Sequence, residues 1–231
     1  MAIDTMFGVF RQFEDFAQTA IADSPEVDVQ VAAGQTTEVT AGNDGRLRIA
    51  IAATDDEDVG SVTFGTLSYT AGQSSLYMEA RVLSSVITDM KYFIGFSDVI
   101  ATGDESSFSA TTDTVTIDTM SDAIGFVKDG DSTTDAHFAV AGATDSVTVS
   151  QVLPSRLNLV AAEFTTFGVQ LSEDRQAAQF FIDGELVHNI EFSSVLVAAV
   201  ALVPGVWCYE QGTSFNFDVD YLYGRKGRST T

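Results

Sequence analysis

The chain of 231 residues carries 33 Asp+Glu against 11 Lys+Arg, a net charge of −22, with 45% hydrophobic residues, three Pro and one Cys. That apolar content is too high for a disordered chain, and the length suits one all-β sandwich or barrel that buries a core without disulfide or metal staples. No apolar run approaches the roughly 20 residues of a membrane helix. Residues 1–22 lack a basic start and an unbroken apolar run, since Asp4, Arg11, Glu14 and Asp15 interrupt them, so synthesis in the cytoplasm is expected.

Charge placement narrows the partners. Arg225, Lys226 and Arg228 lie in the last seven positions, so residues 1–224 hold the other eight basic residues against all 33 acids. Phosphate neutralisation is disfavoured outside that tail, and no nucleic-acid partner is expected. Asp outnumbers Glu and Lys is rare. That balance suits a surface in salty water, where screening weakens self-repulsion.

The N-terminal segment, 1–24, differs in kind from the rest. Phe7, Phe10, Phe13 and Phe16 recur every three residues. The period fits either a short amphipathic helix over an open end of the sandwich or an arm docked on another subunit, because four Phe are too much apolar surface to leave in water.

From Val27 onward the signals are those of strands. Leu47, Ile49 and Ile51 alternate with Arg46, Arg48 and Ala50, and Leu76, Met78, Ala80 and Val82 oppose Tyr77, Glu79 and Arg81. Further short runs are expected at Val27–Val31, Ser61–Leu67, Tyr92–Val99, Val115–Thr119, Ala123–Val127, Ala136–Ala141, Val147–Val152, Thr166–Leu171, Gln179–Ile182, Glu185–Phe192, Leu196–Val203 and Ser214–Tyr223. Asn43-Asp44-Gly45, Asp129-Gly130 and Asp183-Gly184 supply turns, and the last predicts a hairpin. Thr102–Thr114 and Asp129–Asp135 read as exposed loops. Many short strands separated by turns argue an antiparallel sandwich over residues 25–224, followed by a basic tail, 225–231.

Chemistry-bearing patterns are sparse. His137 and His188 accompany no nucleophile motif, there is no phosphate-cradling glycine loop, and the single Cys208 reads as a buried apolar thiol. The run Asp55-Asp56-Glu57-Asp58 is either a solvated loop or a cluster for a hard cation such as calcium. Asp218 and Asp220 are expected on one face of a strand, with Phe217, Val219 and Tyr221 on the other. No metal site and no cofactor is assigned.

Tyr77–Val82, Phe93–Ser97, Asp122–Val127, Phe164–Leu171, Phe180–Val187 and Phe217–Tyr221, in that order, resemble the strands of concanavalin A-like lectin/glucanase jelly rolls. The resemblance implies an all-β, two-sheet antiparallel jelly-roll sandwich. The paired-carboxylate strand of the superfamily's hydrolases is missing, since Glu26-Val27-Asp28 has no third acid and Glu79 stands alone, so no catalytic residue is assigned. Trp207 and Tyr209 are candidates to stack on a glycan, with a core Trp as the other reading.

Acidic, Thr-rich sandwiches with a hydrophobic arm also resemble decoration (cement) proteins on the outer capsid surface of tailed bacteriophages. That resemblance implies a non-enzymatic virion structural protein. Phe7, Phe10, Phe13, Phe16, Arg225, Lys226 and Arg228 would contact the major capsid protein or a second subunit, in a homo-oligomer such as a trimer at a three-fold position. The other function considered is a carbohydrate-binding, lectin-like module, free or on a phage fibre.

Overall fold

Alternation of apolar and polar side chains becomes two stacked sheets in the computed structural model, which describes residues 9–17, 27–32, 34–40, 45–53, 59–65, 69–71, 75–99, 108–111, 114–117, 120, 122–130, 137–143, 147–152, 159–191, 196 and 199–227. The front sheet is built around β7 (Leu76–Ser84) and β18 (Phe215–Gly227). Beyond β7 lie β14 (Thr165–Leu171), β15 (Ala177–Ile182) and β16 (Glu185–Glu191), and beyond β18 lie β4 (Arg46–Ile51) and β3 (Thr36–Thr40). In the back sheet β8 (Met90–Ser97) and β17 (Ala201–Glu210) are central. They are flanked by β11 (Asp122–Asp129), β12 (His137–Ala143) and β13 (Val147–Val152) on one side, and by β5 (Val59–Phe64) and β2 (Val27–Val31) on the other. Every strand pair among the described residues is antiparallel.

The inner faces meet through aromatic rings. Tyr92 of the back sheet lies 5.9 Å from Phe167 and 6.3 Å from Phe217 of the front, and Phe126 lies 5.0 Å from Phe167 and 5.3 Å from Phe180. Such offset and edge-on pairs add directional attraction to the apolar area they bury. Asp183 and Gly184, both at positive φ, form the expected two-residue turn between β15 and β16. Pro204 is tolerated inside β17 because that strand changes neighbours there, from the short β6 (Tyr69–Thr70) to β5.

The N-terminal segment is a strand where it is described, not a helix. β1 (Val9–Glu14) pairs antiparallel with the far half of β18, filling the place beside it that β4 leaves empty. A spacing of three in a strand alternates between faces. Phe10 therefore turns inward against Tyr69 at 6.0 Å, while Phe13 turns outward and is 52% exposed. Phe16, at φ 50° beyond the strand end, folds back and is buried. The described part of the segment is seated on its own chain, and β18 runs through Gly227, so Arg225 and Lys226 belong to the sheet and not to a tail.

Three further expectations change. Thr102–Thr114 is not wholly loop, since β9 (Phe108–Thr111) pairs with β10 (Thr114–Ile117) in a hairpin lying against β11, β12 and β13. Its Thr and alternating apolar residues are strand formers. The strand expected at Leu196–Val203 begins at Ala201 and runs through Trp207 to Glu210. Finally, the register between β18 and β7 shifts at a bulge between Val219 and Tyr221. The extra residue reverses the alternation, so Tyr221 lies on the same face as Asp218 instead of the opposite one.

Candidate functional site

The two sheets differ in what their outer faces offer. On the back sheet β5, β8 and β11 are buried along their whole length, both faces included. Trp207 and Tyr209 point to that covered outer face and are fully buried, so they present no ring to an external glycan. Trp207 packs 5.4 Å from Phe93, and each ring lies over a glycine: a Cβ on Gly205 would come 2.9 Å from Trp207, and one on Gly125 would come 2.8 Å from Phe93. Cys208 points inward, its Sγ donating to the Gly60 carbonyl at 3.4 Å, and burial pushes the thiol well above its ordinary range.

On the front sheet β4, β7 and β15 alternate strictly between buried and half-buried residues, which leaves one face toward solvent. The strand register arranges that face in rows. One row runs Phe13, Tyr223, Glu79, Gly168, Phe181, Leu186 across β1, β18, β7, β14, β15 and β16. The next runs Arg11, Arg225, Tyr77, Gln170, Gln179, Asn189, and a third brings Tyr221, Arg81 and Thr166 together. The bulge is what turns Tyr221, Tyr223 and Arg225 outward.

Glu79 is the centre of this face. Tyr77 donates its hydroxyl to Oε2 at 2.5 Å, and Tyr221 donates to Oε1 at 2.5 Å from the neighbouring strand. Charge-assisted bonds of this length are the strong kind, and they fix both rings. Burial, and then the bonds to Glu79, push both phenols well above the ordinary tyrosine range. Tyr77 also meets Phe181 at 6.4 Å and Tyr223 at 6.0 Å, both edge-on, and the Arg225 guanidinium lies 5.3 Å over its ring. Gly168 makes room, since a Cβ there would stand 3.1 Å from the Tyr77 hydroxyl. Phe13 extends the aromatic surface by stacking on Tyr221 at 5.8 Å.

Two other carboxylates of the face, Asp218 and Asp220, are held by arginines. Asp220 accepts from Arg81 at 2.6 Å, and Arg81 also covers the Phe164 ring at 4.3 Å. Asp218, fully buried, accepts from Arg48 at 2.7 and 2.9 Å and lies 3.2 Å from Arg46. Among the described residues no group of three or more His, Cys, Asp or Glu side chains is placed to hold a metal ion. His188 packs 6.4 Å from Phe180, and burial lowers its pKa.

Of the candidates named from sequence, Phe10 and Lys226 are cross-strand neighbours, with the Lys226 ammonium 5.0 Å over the Phe10 ring, and Phe13 and Arg225 share the open face. Phe16 is in the core. Phe7, Arg228 and the run at 55–58 lie outside the described residues. Nothing local in the sequence marks Tyr77, Glu79, Phe181, Tyr221 and Tyr223 as a site. Alternation exposed the first two, but the cross-strand partners that give them meaning are far away in sequence.

No protein-family model and no curated protein matches the chain. Solved structures do. A Shewanella oneidensis MR-1 protein of unknown function superposes with a TM-score of 0.67 at 12% identity, covering 100% of this chain and 92% of that one. Peanut lectin gives 0.61 at 11% identity, covering 96% and 99%. A Bacillus licheniformis β-glucanase gives 0.57 at 12% identity, covering 94% and 98%. At these identities the likeness shows the fold, a concanavalin A-like lectin and glucanase jelly roll.

Proposed function

We propose that this protein binds carbohydrate without hydrolysing it, on the outer face of the front sheet. The observation that carries the reading is the half-exposed aromatic platform of Tyr77, Tyr223 and Phe181, in which Tyr77 is fixed by its phenolic hydrogen bond to Glu79 and the other two rings pack edge-on against it. Flat rings with polar edges suit the apolar faces and hydroxyl rims of sugar rings, and fixed rotamers lower the entropy lost on binding. The fold neighbours include peanut lectin and the carbohydrate recognition domain of Emp47p. Hydrolysis by the usual route needs two carboxyl groups flanking the scissile bond, one of them ready to give a proton. Here both oxygens of Glu79 already accept hydrogen bonds, and Asp220 is tied to Arg81.

Glycan-array screening followed by calorimetry tests this reading. Binding should fall about tenfold or more in Phe181→Ala and Tyr223→Ala, since each substitution removes the ring on which the sugar would pack together with the apolar area it buries. No reducing ends should appear on long incubation. Saccharide binding that ignores both substitutions removes the platform from the reading.

The shell-decoration reading keeps one specific support, the outward Phe13 beside Arg11 and Arg225 on an otherwise acidic protein. A near-integral ratio to the major shell protein in purified virus particles would establish it. Absence from particles would end it.

A further inference from the structure

Positive charge is scarce in this protein and unevenly spent. Among the described residues, five basic side chains, Arg11, Arg46, Arg48, Arg81 and Arg225, lie on the outer face of the front sheet, in a chain with only 11 Lys+Arg. Three of them are occupied: Arg46 and Arg48 hold Asp218, and Arg81 holds Asp220. The other two are not. Arg11 and Arg225 stand directly opposite each other on β1 and β18, and neither has a carboxylate within ion-pair distance among the described residues.

That juxtaposition costs stability. Like charges directly across a ladder repel, and with 33 acidic residues in the chain a neutralising neighbour would be easy to place. Arg11 is exposed and Arg225 half-buried, with its guanidinium over the Tyr77 ring at 5.3 Å, so Arg225 borders the aromatic platform directly and Arg11 stands one strand beyond it. The nearest acid in the rows, Glu79, is turned to the two phenols. Arg11 stands opposite Arg225 on the neighbouring strand, so two guanidinium forks, each of a geometry that matches the oxygens of a carboxylate or sulfate, belong to adjacent positions of one face.

We infer that Arg11 and Arg225 receive the anionic group of an acidic polysaccharide, a uronate carboxylate or a sulfate ester, while the sugar ring lies on Tyr77, Tyr223 and Phe181. The inference rests on the carbohydrate-binding reading above and adds the charge class of the ligand. Nucleic acid fits the same two groups less well. Duplex DNA carries one charge per about 1.7 Å, and that density meets the protein's own net charge of −22 everywhere beyond the arginine pair.

Affinity electrophoresis of the full chain in gels containing polygalacturonate, dextran sulfate, neutral dextran or polyglutamate tests it, using wild type, Arg11→Gln/Arg225→Gln and Phe181→Ala. Circular dichroism melts check that each variant is folded. The expected result is retention by polygalacturonate or dextran sulfate well above neutral dextran and polyglutamate, weakened about tenfold or more in the double arginine variant. Retention by polygalacturonate alone assigns a carboxylate, and retention by dextran sulfate alone assigns a sulfate. Retention that the double variant leaves unchanged but Phe181→Ala abolishes overturns the charge assignment and keeps the sugar platform. Equal retention by polyglutamate overturns the polysaccharide assignment. No retention by polygalacturonate or dextran sulfate overturns this inference, while the reading beneath it stands or falls on the glycan array.

Discussion

Arg48 holds Asp218 in a bidentate pair, Nε at 2.7 Å from one oxygen and a terminal nitrogen at 2.9 Å from the other. The carboxylate is fully buried, whereas the guanidinium keeps 27% of its side-chain surface. Removing the cation leaves a buried charge with only Arg46, at 3.2 Å, beside it. Arg48→Ala should therefore destabilise the fold by about 3 kcal/mol, and Arg46→Ala by no more than about 1 kcal/mol. Arg48→Lys should recover only part of the loss, because an ammonium cannot form the fork. Urea unfolding midpoints measure all three, and equal costs for the two alanine variants would contradict the geometry.

Gly60 sets how closely the sheets approach. A Cβ there would stand 2.3 Å from Cγ2 of Ile49 on the opposite sheet and 3.0 Å from Cδ1 of Ile51. Gly60→Ala should cost about 1–3 kcal/mol by overpacking. Ile49→Leu removes the branch that collides, so the double variant should be more stable than Gly60→Ala alone. A double variant no better than the single one would place the strain elsewhere.

How much of this was legible depended on whether the signal was local. Leu76–Ser84 alternates without a break, and Asp183-Gly184 announces its turn, so both could be read from a few residues. The Phe stripe was legible as apolar but not as extended, because Phe10, Phe13 and Phe16 have a helical spacing, and pairing with Tyr223 to Lys226 at the other end of the chain overrides it. The bulge before Tyr221 has no sequence mark. Without it, strict alternation sends Tyr221 inward, and with it goes the second phenol on Glu79. The site is thus made by contacts between residues as far apart as 79 and 221, and a local reading reaches only its β7 half.

The Glu79 clamp gives a pH signature. Tyr77 and Tyr221 have raised pKa values in the folded protein because burial and the hydrogen bonds to Glu79 favour the neutral phenol. When the chain unfolds, both return to the ordinary value near 10. Above that pH the unfolded state releases protons that the folded state retains, so unfolding gains from rising pH. The stabilisation from the clamp is complete below about pH 10 and is lost as pH rises from there through the folded values. Thermal unfolding followed between pH 8 and 12 should show a falling midpoint at the alkaline end. The double variant Tyr77→Phe/Tyr221→Phe should flatten that fall, and an unchanged slope would show that other groups govern it.

The chain has a single Trp, so its fluorescence reports one place. Trp207 is fully buried on the back sheet against Phe93, with Nε1 unpaired, whereas the proposed ligand face belongs to the front sheet. Emission should be blue-shifted and resistant to iodide, since quenching needs contact with the ring. A saccharide bound on the Tyr77 platform should leave the spectrum unchanged, while tyrosine-sensitive near-ultraviolet circular dichroism responds. Trp207→Phe should lower stability by about 1–3 kcal/mol through the space it leaves, and should not weaken saccharide binding. A ligand-induced Trp shift, or binding lost in Trp207→Phe while the fold survives, would move the site to the opposite sheet, where the outer face would have to open before a sugar could reach the indole.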